Sequence, residues 1–255
     1  CCLVRHRNTK LLARQAGSGS GTVSAGSQSN GQFGMPSVVA VAGFLGDPSD
    51  FDGVIAACSE DWSWQVLTPL DLGGGTVFEM ASQLQSISAD VRIGYSMGGR
   101  VVLAAQDGTP SIALSAGIGL HGAEARNQRA QIDDERAREL RHDPQGFLHS
   151  WYQQPLFDAL RSSSVWEELQ VRRSTVMQQS DAWATALSAA SPGRTPVPKL
   201  EGRLGFVVGN LDQAYRVPPE SFPHRVIPRS GHAIHLESPR ATAMAIQELF
   251  KELKS

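Results

Sequence analysis

Short apolar runs alternate along the chain with longer segments of helical spacing. Residues 37–42 read Ser-Val-Val-Ala-Val-Ala, a continuous apolar run of the kind a strand buried on both faces shows. The other predicted strands are 64–68, 89–93, 111–115, 204–208 and 224–228. Helices are predicted at 48–57, 76–87, from 101 onward and at 241–253. This alternation predicts an α/β fold with a mostly parallel sheet covered by helices on both faces.

Residues 121–199 interrupt the alternation. They are rich in Arg, Gln, Asp, Glu and Trp, with helical patterns at 125–141 and 163–172 and almost no strand signal. We interpret them as a helical cap inserted after the middle strands of the sheet and refer to them below as the cap.

Residues 1–34 have a different composition. They contain Arg5, Arg7, Lys10 and Arg14 but no acidic residue, end in a Gly/Ser/Gln-rich stretch, and have no initiating Met. A transit-peptide remnant, a linker from an upstream domain and a sequence added for expression all fit this composition. Each predicts disorder, so the folded domain is expected to span residues 35–255.

Composition excludes several function classes. A chain of 255 residues with 41% hydrophobic content can form one sizeable α/β domain. A net charge of −2 argues against nucleic-acid binding, and no run of 18 apolar residues predicts a membrane span. The three cysteines fit neither a disulfide framework nor a zinc site. We therefore expect a soluble intracellular protein.

The sequence Gly-Tyr-Ser-Met-Gly at 94–98 stands between a predicted strand and a predicted helix. In that context Gly-x-Ser-x-Gly predicts a nucleophile elbow, a turn so sharp that the residues two before and two after the serine must lack a Cβ. The alternative is a glycine-rich turn that merely contains a serine. The flanking elements favour the elbow, with Ser96 as nucleophile.

Asp212 and His232 complete a predicted catalytic triad. With Ser96 they follow the order Ser, Asp, His, each just beyond the carboxyl end of a predicted strand. A serine hydroxyl needs an imidazole to hold its proton, and the imidazole needs a carboxylate to fix its tautomer.

Two of these assignments have alternatives. Asp133 and Asp181 could supply the carboxylate, but both lie in the cap. His235 could replace His232, although its position at the start of the last helix favours a packed or solvated side chain.

An anion hole is expected beside the nucleophile. Its predicted donors are the amide of Met97, directly after the serine, and the amide of Phe44 or Leu45 in the loop 43–47 that follows the first strand. Each such donor contributes about 3–4 kcal/mol to stabilising an oxyanion.

Three arginines limit the chemical class of substrate that the sequence predicts. Arg100 follows the nucleophile by four residues and so lies on the same side of its helix, while Arg129 and Arg173 lie in the cap with the aromatic and polar segment 151–155. Singly, each arginine fits a solvated surface. Together they predict a pocket for a small polycarboxylate, because guanidinium groups bind carboxylates bidentately. Arg126, in the same helix, is the alternative to Arg129.

Four motifs carry a specific resemblance. Gly-Tyr-Ser-Met-Gly-Gly-Arg at 94–100, Gly-Phe-Leu-Gly at 43–46, Trp-Tyr-Gln-Gln-Pro at 151–155 and Ser-Gly-His at 230–232 together resemble the 2-succinyl-6-hydroxy-2,4-cyclohexadiene-1-carboxylate synthases. The likeness spans residue 35 to the C-terminus, and the cap motif is its most discriminating part. It implies an α/β-hydrolase fold and a place in menaquinone or phylloquinone biosynthesis.

The resemblance also implies a reaction and a set of binding residues. The reaction is a lyase elimination of pyruvate from 2-succinyl-5-enolpyruvyl-6-hydroxy-3-cyclohexene-1-carboxylate, without a metal or organic cofactor. The triad serine abstracts a ring proton, and the anion hole holds the charge that develops on the succinyl carbonyl. The substrate-binding residues that the resemblance implies are Tyr95, Arg100, Arg129, Trp151 and Arg173.

The chain departs from the family pattern at several positions. Ala42 replaces a histidine before the 43–46 loop, His121 replaces a glutamine, and the segment 236–239 reads Leu-Glu-Ser-Pro instead of Arg-Glu-Asn-Pro. These changes put loop bracing and substrate preference in question.

Two other functions stay open at this point. A serine carboxylesterase or thioesterase would use the same triad, and a binding protein would need a broken one. The compartment is expected to be the cytoplasm for a bacterial protein or the plastid for a photosynthetic eukaryote. Residues 1–34 leave open a fusion to, or association with, another quinone-pathway enzyme.

Overall fold

A six-stranded parallel sheet forms the centre of the protein. The structure, a computed structural model, describes residues 35–58, 61–215 and 221–255, so the predicted disorder of residues 1–34 lies outside the described residues. The strand order is β2-β1-β3-β4-β5-β6, and every neighbouring pair is parallel. The strands are β1 Ser37–Val41, β2 Ser63–Leu67, β3 Val91–Tyr95, β4 Ser111–Leu114, β5 Leu204–Gly209 and β6 His224–Ile227.

Burial follows the position of each strand in the sheet. All residues of the inner strands β1, β3, β4 and β5 except Ser37 are buried, whereas the edge strands β2 and β6 are largely half-buried or exposed. The apolar runs of the sequence therefore mark the strands that are covered on both faces. The predicted strands are confirmed to within two residues at each end.

Helices cover both faces of the sheet. Along β1, Val38 and Ala40 pack in one hydrophobic cluster with residues of α1 and α10, while Val39 and Val41 pack in a second cluster with α2 and α3. This split is the period-two pattern of a strand. The helices concerned are α1 Asp52–Ala57, preceded by a 3₁₀ turn at Pro48–Phe51, α2 Val77–Gln85, α3 Met97–Ala104 and α10 Pro239–Lys254.

The segment between β4 and β5 is helical. Residues 115–203, all of them described, contain helices, turns and loops but no strand. Its helices are α4 Ala123–His142, α5 Pro144–Tyr152, α6 Asp158–Arg161, α7 Trp166–Val176 and α8 Ser180–Ala189. A short helix α9, Ile234–Glu237, follows β6. Among residues 35–58, 61–215 and 221–255, no helix combines the length and apolar character that a bilayer crossing requires.

Aromatic rings join the cap to the loop after β1. Phe44 lies with its ring centroid 4.9 Å from that of Trp151 and 5.6 Å from that of Trp183, both edge-on. Trp183 is buried and belongs to the same hydrophobic cluster as Val38 and Ala40 of β1. The cap is thus packed against the loop that carries one predicted donor of the anion hole.

Candidate active site

The nucleophile elbow forms where the sequence predicts it. Ser96 connects β3 to α3 with a φ of 51°, in the left-handed region that is strained for a residue with a Cβ. A Cβ on Gly94 would lie 2.3 Å from the Gly98 oxygen, and one on Gly98 would lie 2.2 Å from the Val41 oxygen. The two glycines are therefore a steric requirement of the turn.

Ser96, His232 and Asp212 form a hydrogen-bonded chain. The His232 Nε2 lies 3.1 Å from the Ser96 Oγ, and its Nδ1 lies 2.8 Å from the Asp212 Oδ2. Because Asp212 is a carboxylate acceptor, Nδ1 carries the proton and Nε2 is left to accept from the serine. The other carboxylate oxygen of Asp212 accepts from the amides of Ala214 and Tyr215. The geometry can hold and transfer the serine proton.

The alternative carboxylates and imidazole lie elsewhere. Asp181 is exposed, and Asp133 is buried in the cap beside Arg129. His235 is buried with its ring centroid 5.2 Å from that of Phe51 and 4.1 Å from that of Tyr95. Neither ring nitrogen of His235 has a hydrogen-bond partner among the described residues. Burial lowers the pKa of this imidazole to about 3, so it packs as a neutral ring.

A carboxylate that sequence reasoning missed supports the loop carrying His232. The Oε2 of Glu237 accepts from the amide of Gly231 at 2.5 Å, and its Oε1 accepts from the amide of Ala233 at 3.0 Å. These amides belong to the residues on either side of the histidine. Burial raises the pKa of Glu237, and the two amides oppose that rise. The only sequence signal was the Glu of the 236–239 segment.

The predicted donors of the anion hole have free amides among the described residues, and two of them border the cavity between the elbow and the cap. Met97 and Phe44 line it, and within the described residues the amides of Met97, Phe44 and Leu45 make no hydrogen bond. Leu45 has a φ of 58° and a fully buried side chain. The turn is closed by the Gly46 amide, which donates to the Gly43 oxygen at 3.0 Å. This bond braces the loop although Ala42 has no polar side chain.

A cavity of about 450 Å³ separates the elbow from the cap. All five residues that the resemblance implied for substrate binding line it, whereas Arg126 is absent from its described wall. His121 is exposed and also absent from that wall, while Leu236 is part of it. Polar residues of the wall that sequence reasoning did not select for substrate binding are Asp50, Asp133, Arg136, Tyr152, Gln154 and Tyr215.

Arg100 and Arg129 are held differently. The Nη1 of Arg100 donates to the Ala190 oxygen, and burial lowers the pKa of this guanidinium to about 10, which leaves it charged at neutral pH. The Nε of Arg129 donates to the Oδ2 of Asp133 at 2.8 Å. That oxygen also accepts from the Ser191 Oγ at 2.7 Å.

Arg173 is the buried member of the set, at 3% exposure. Its Nη2 lies 2.6 Å from the Oδ2 of Asp50, and its Nε donates to the Tyr152 hydroxyl at 2.9 Å. Burial by itself would lower the pKa of Arg173, but Tyr152 and Asp50 raise it above its ordinary value. The Nη1 of Arg173 is buried and has no hydrogen-bond partner among the described residues.

Similarity to known proteins defines the protein family of this chain. The profile of the alpha/beta hydrolase family matches residues 31–245, and the chain belongs to that family. An esterase from Thermogutta terrifontis, solved with malate bound, superposes with a TM-score of 0.62 at 20% identity, covering 86% of this chain and 91% of that one.

Relatives with a more specific name follow. A 2-succinyl-6-hydroxy-2,4-cyclohexadiene-1-carboxylate synthase from Salmonella newport is 27% identical over 242 residues, covering 87% of this chain and 96% of the relative. The synthase of the same name from Shigella sonnei is 26% identical over 243 residues with the same coverage. The structure of MenH from S. aureus superposes with a TM-score of 0.74 at 21% identity, covering 86% of this chain and 95% of that one. The resemblance drawn from the motifs is confirmed by these relatives.

Proposed function

We propose that the protein is a carbon–oxygen lyase that eliminates pyruvate from 2-succinyl-5-enolpyruvyl-6-hydroxy-3-cyclohexene-1-carboxylate. The product is 2-succinyl-6-hydroxy-2,4-cyclohexadiene-1-carboxylate, the compound in the name of the bacterial relatives. One observation carries the proposal above all: a hydrogen-bonded Ser-His-Asp chain faces a cavity whose wall has an excess of arginine.

The charge of the wall favours a polycarboxylate. Its charged side chains, leaving aside the imidazole of the triad, are Arg100, Arg129, Arg136, Arg173, Asp50 and Asp133. Four guanidinium groups against two carboxylates leave a positive excess, which a substrate with several carboxylates neutralises. A neutral acyl chain bound here would remove water from the arginines without compensating their charge.

The triad supplies the base in this mechanism. Ser96, with its proton held by His232, takes the ring proton beside the succinyl carbonyl, and the His232–Asp212 pair takes up the positive charge. The electrons of the broken C–H bond form the first new double bond of the ring system. The ring double bond that is already present shifts in turn and expels the enolpyruvyl oxygen at the far end. The C–O bond breaks with its electron pair on that oxygen, and the released enolpyruvate takes the proton held by His232 on its methylene carbon to become pyruvate.

The anion hole stabilises the intermediate. Negative charge develops on the succinyl carbonyl oxygen, where the amides of Met97 and of Phe44 or Leu45 can donate hydrogen bonds. Each donor aimed at that charge contributes about 3–4 kcal/mol. Phe44 is favoured over Leu45 because it lines the cavity.

The binding residues have proposed roles as well. Arg100, Arg129 and Arg173 pair with the carboxylates of the substrate, Trp151 packs on its ring, and Tyr95 flanks the nucleophile. The proposed compartment is intracellular, and association with another quinone-pathway enzyme stays a prediction from residues 1–34.

A carboxylesterase or thioesterase is the second candidate. The same Ser96–His232 distance of 3.1 Å suits acyl transfer, in which the serine becomes covalently bound to the acyl group. The binding-protein alternative is disfavoured because it requires a broken triad.

A coupled assay for pyruvate release tests the proposal. The wild-type protein is expected to release pyruvate from the enolpyruvyl substrate, with the Ser96→Ala variant at least about 10³-fold slower. Arg100→Ala is expected to lose activity at subsaturating substrate, while Arg138→Ala, an exposed arginine, serves as the control. Turnover of simple p-nitrophenyl esters without pyruvate release, indifferent to Arg100, would instead establish the esterase.

A further inference from the structure

Arg136 is a cavity arginine that the family motifs did not select. It lies on α4 and its side chain, 29% exposed, forms part of the cavity wall. Its guanidinium lies 5.4 Å from the centroid of the Trp151 ring, within the range of a cation–π contact. The Nη2 donates to the Oε1 of Gln154 at 2.9 Å. Two contacts from one cap segment therefore fix its orientation.

Gln154 is itself held in place. Its Nε2 donates to the backbone oxygen of Trp151 at 2.8 Å, which turns its Oε1 toward Arg136. This contact assigns a purpose to the second Gln of the Trp-Tyr-Gln-Gln-Pro motif, which has no role in the proposed chemistry.

The charge of Arg136 is only partly compensated. Its nearest carboxylate, Asp133, lies 3.6 Å away, from Nη1 to Oδ1, outside hydrogen-bond distance. The other oxygen of Asp133 already accepts from Arg129 and Ser191. One carboxylate thus serves two arginines. A guanidinium has five N–H donors, and most of those of Arg136 have no protein acceptor in the described structure.

We propose that Arg136, seated on Trp151 and oriented by Gln154, binds a carboxylate of the substrate and determines specificity for a polycarboxylate. The inference rests on the proposed function for the identity of that substrate. Arg138, two residues later in the same helix, is 73% exposed, and its one ion pair within the described part of the chain is with Glu135 at 4.0 Å. It provides a matched control for the loss of one positive charge from α4.

Steady-state kinetics of pyruvate release test the assignment. Arg136→Gln is expected to raise KM roughly 10- to 100-fold, which is the effect of losing a charged hydrogen bond. The value of kcat should change less than about threefold, because the interaction is present both in the bound substrate and in the transition state. Arg138→Gln should leave KM within about twofold of the wild-type value. A KM for Arg136→Gln that matches the control, or a loss confined to kcat, would overturn the proposal.

Two more variants separate binding from a structural role. Arg136→Lys restores the charge without the planar fork, so KM should fall between those of wild type and Arg136→Gln. Gln154→Met removes the orienting acceptor, together with the hydrogen bond from its Nε2 to the Trp151 oxygen, and should raise KM less than Arg136→Gln does. In the double variant the two effects should not add, because they act through one contact; full additivity would contradict the orienting role.

Calorimetric titration with succinate makes the test independent of turnover. The wild-type protein is expected to bind this dicarboxylate, and Arg136→Gln to weaken binding at least about tenfold while Arg138→Gln does not. If the wild-type protein releases no pyruvate but this pattern holds, the proposed reaction fails and the carboxylate site stands. If Arg136→Gln and Arg138→Gln bind succinate equally well, Arg136 is not a carboxylate-binding residue, whichever reaction the protein catalyses.

Discussion

Asp50→Asn should destabilise the protein by breaking a buried ion pair. Asp50 lies in the turn after β1 and Arg173 lies in α7 of the cap, 123 residues later, with Nη2 and Oδ2 2.6 Å apart. The two residues are 2% and 3% exposed. The Oδ1 of Asp50 also lies 3.3 Å from the Nη1 of Arg172. Asparagine keeps the size of the side chain but removes the charge that both arginines share.

The expected loss is large because the arginine stays buried. Removing one partner of a buried pair costs about 3–5 kcal/mol, since the remaining charge is no longer compensated. For a domain of this size each kcal/mol lowers Tm by roughly 2–4 °C, so the midpoint should fall by roughly 6–20 °C. Urea unfolding, followed by tryptophan fluorescence and by circular dichroism, measures the change in the free energy of unfolding, and a thermal melt measures the change in Tm. Coincident transitions in the two signals justify a two-state analysis.

Asp134→Asn is the matched control. Asp134 and Arg194 are also 2.6 Å apart, but their side chains are 39% and 40% exposed. An ion pair of that exposure contributes no more than about 1 kcal/mol. If the two variants lose the same stability, burial does not set the strength of the Asp50–Arg173 pair, and the reasoning is wrong.

Two further predictions concern residues beside the triad. The folded-state pKa of His235, about 3, lies below the ordinary value near 6.5. His235 therefore contributes stability above pH 6.5 that is lost on acidification. The free energy of unfolding should fall by about 2 kcal/mol between pH 7.5 and pH 5 from this group. In urea unfolding at both pH values, His235→Phe should remove about that much of the pH dependence; an unchanged slope would refute a neutral buried imidazole. Glu237→Gln keeps one acceptor for the two amides beside His232 but loses the charge, so kcat should fall about tenfold with KM unchanged. Glu248→Gln, on the exposed face of α10, is the control, and equal kcat values would refute a positioning role for Glu237.

The parts of the site that the sequence predicted depend on local constraints. The elbow needs glycine at 94 and 98 because any Cβ there meets backbone, so the steric rule is visible in five consecutive residues. Asp212 follows the apolar run of β5 and His232 follows the predicted edge strand β6. Parallel strands bring their carboxyl ends to one edge of the sheet. Chain order and strand positions favoured Ser96, Asp212 and His232, and the hydrogen bonds among them separate these residues from the alternatives Asp133, Asp181 and His235.

The remaining parts depend on contacts between distant segments. Asp50 meets Arg173 across 123 residues, and Arg136 meets Gln154 only because α4 and α5 pack against each other. A polar residue in a helix has the same pattern whether it faces solvent or a cavity, so spacing did not separate Arg136 from Arg138. For the same reason, Arg126 and Arg129 could be distinguished only in the structure.

The most direct measurement follows pyruvate release in a single turnover, using substrate with deuterium at the ring carbon beside the succinyl carbonyl, together with the intact mass of the protein. Proton abstraction by the triad predicts one pyruvate per substrate, slower release from the deuterated compound, and no mass added to the protein. A covalent adduct that disappears in Ser96→Ala, formed without pyruvate, would show acyl transfer and contradict the proposed lyase.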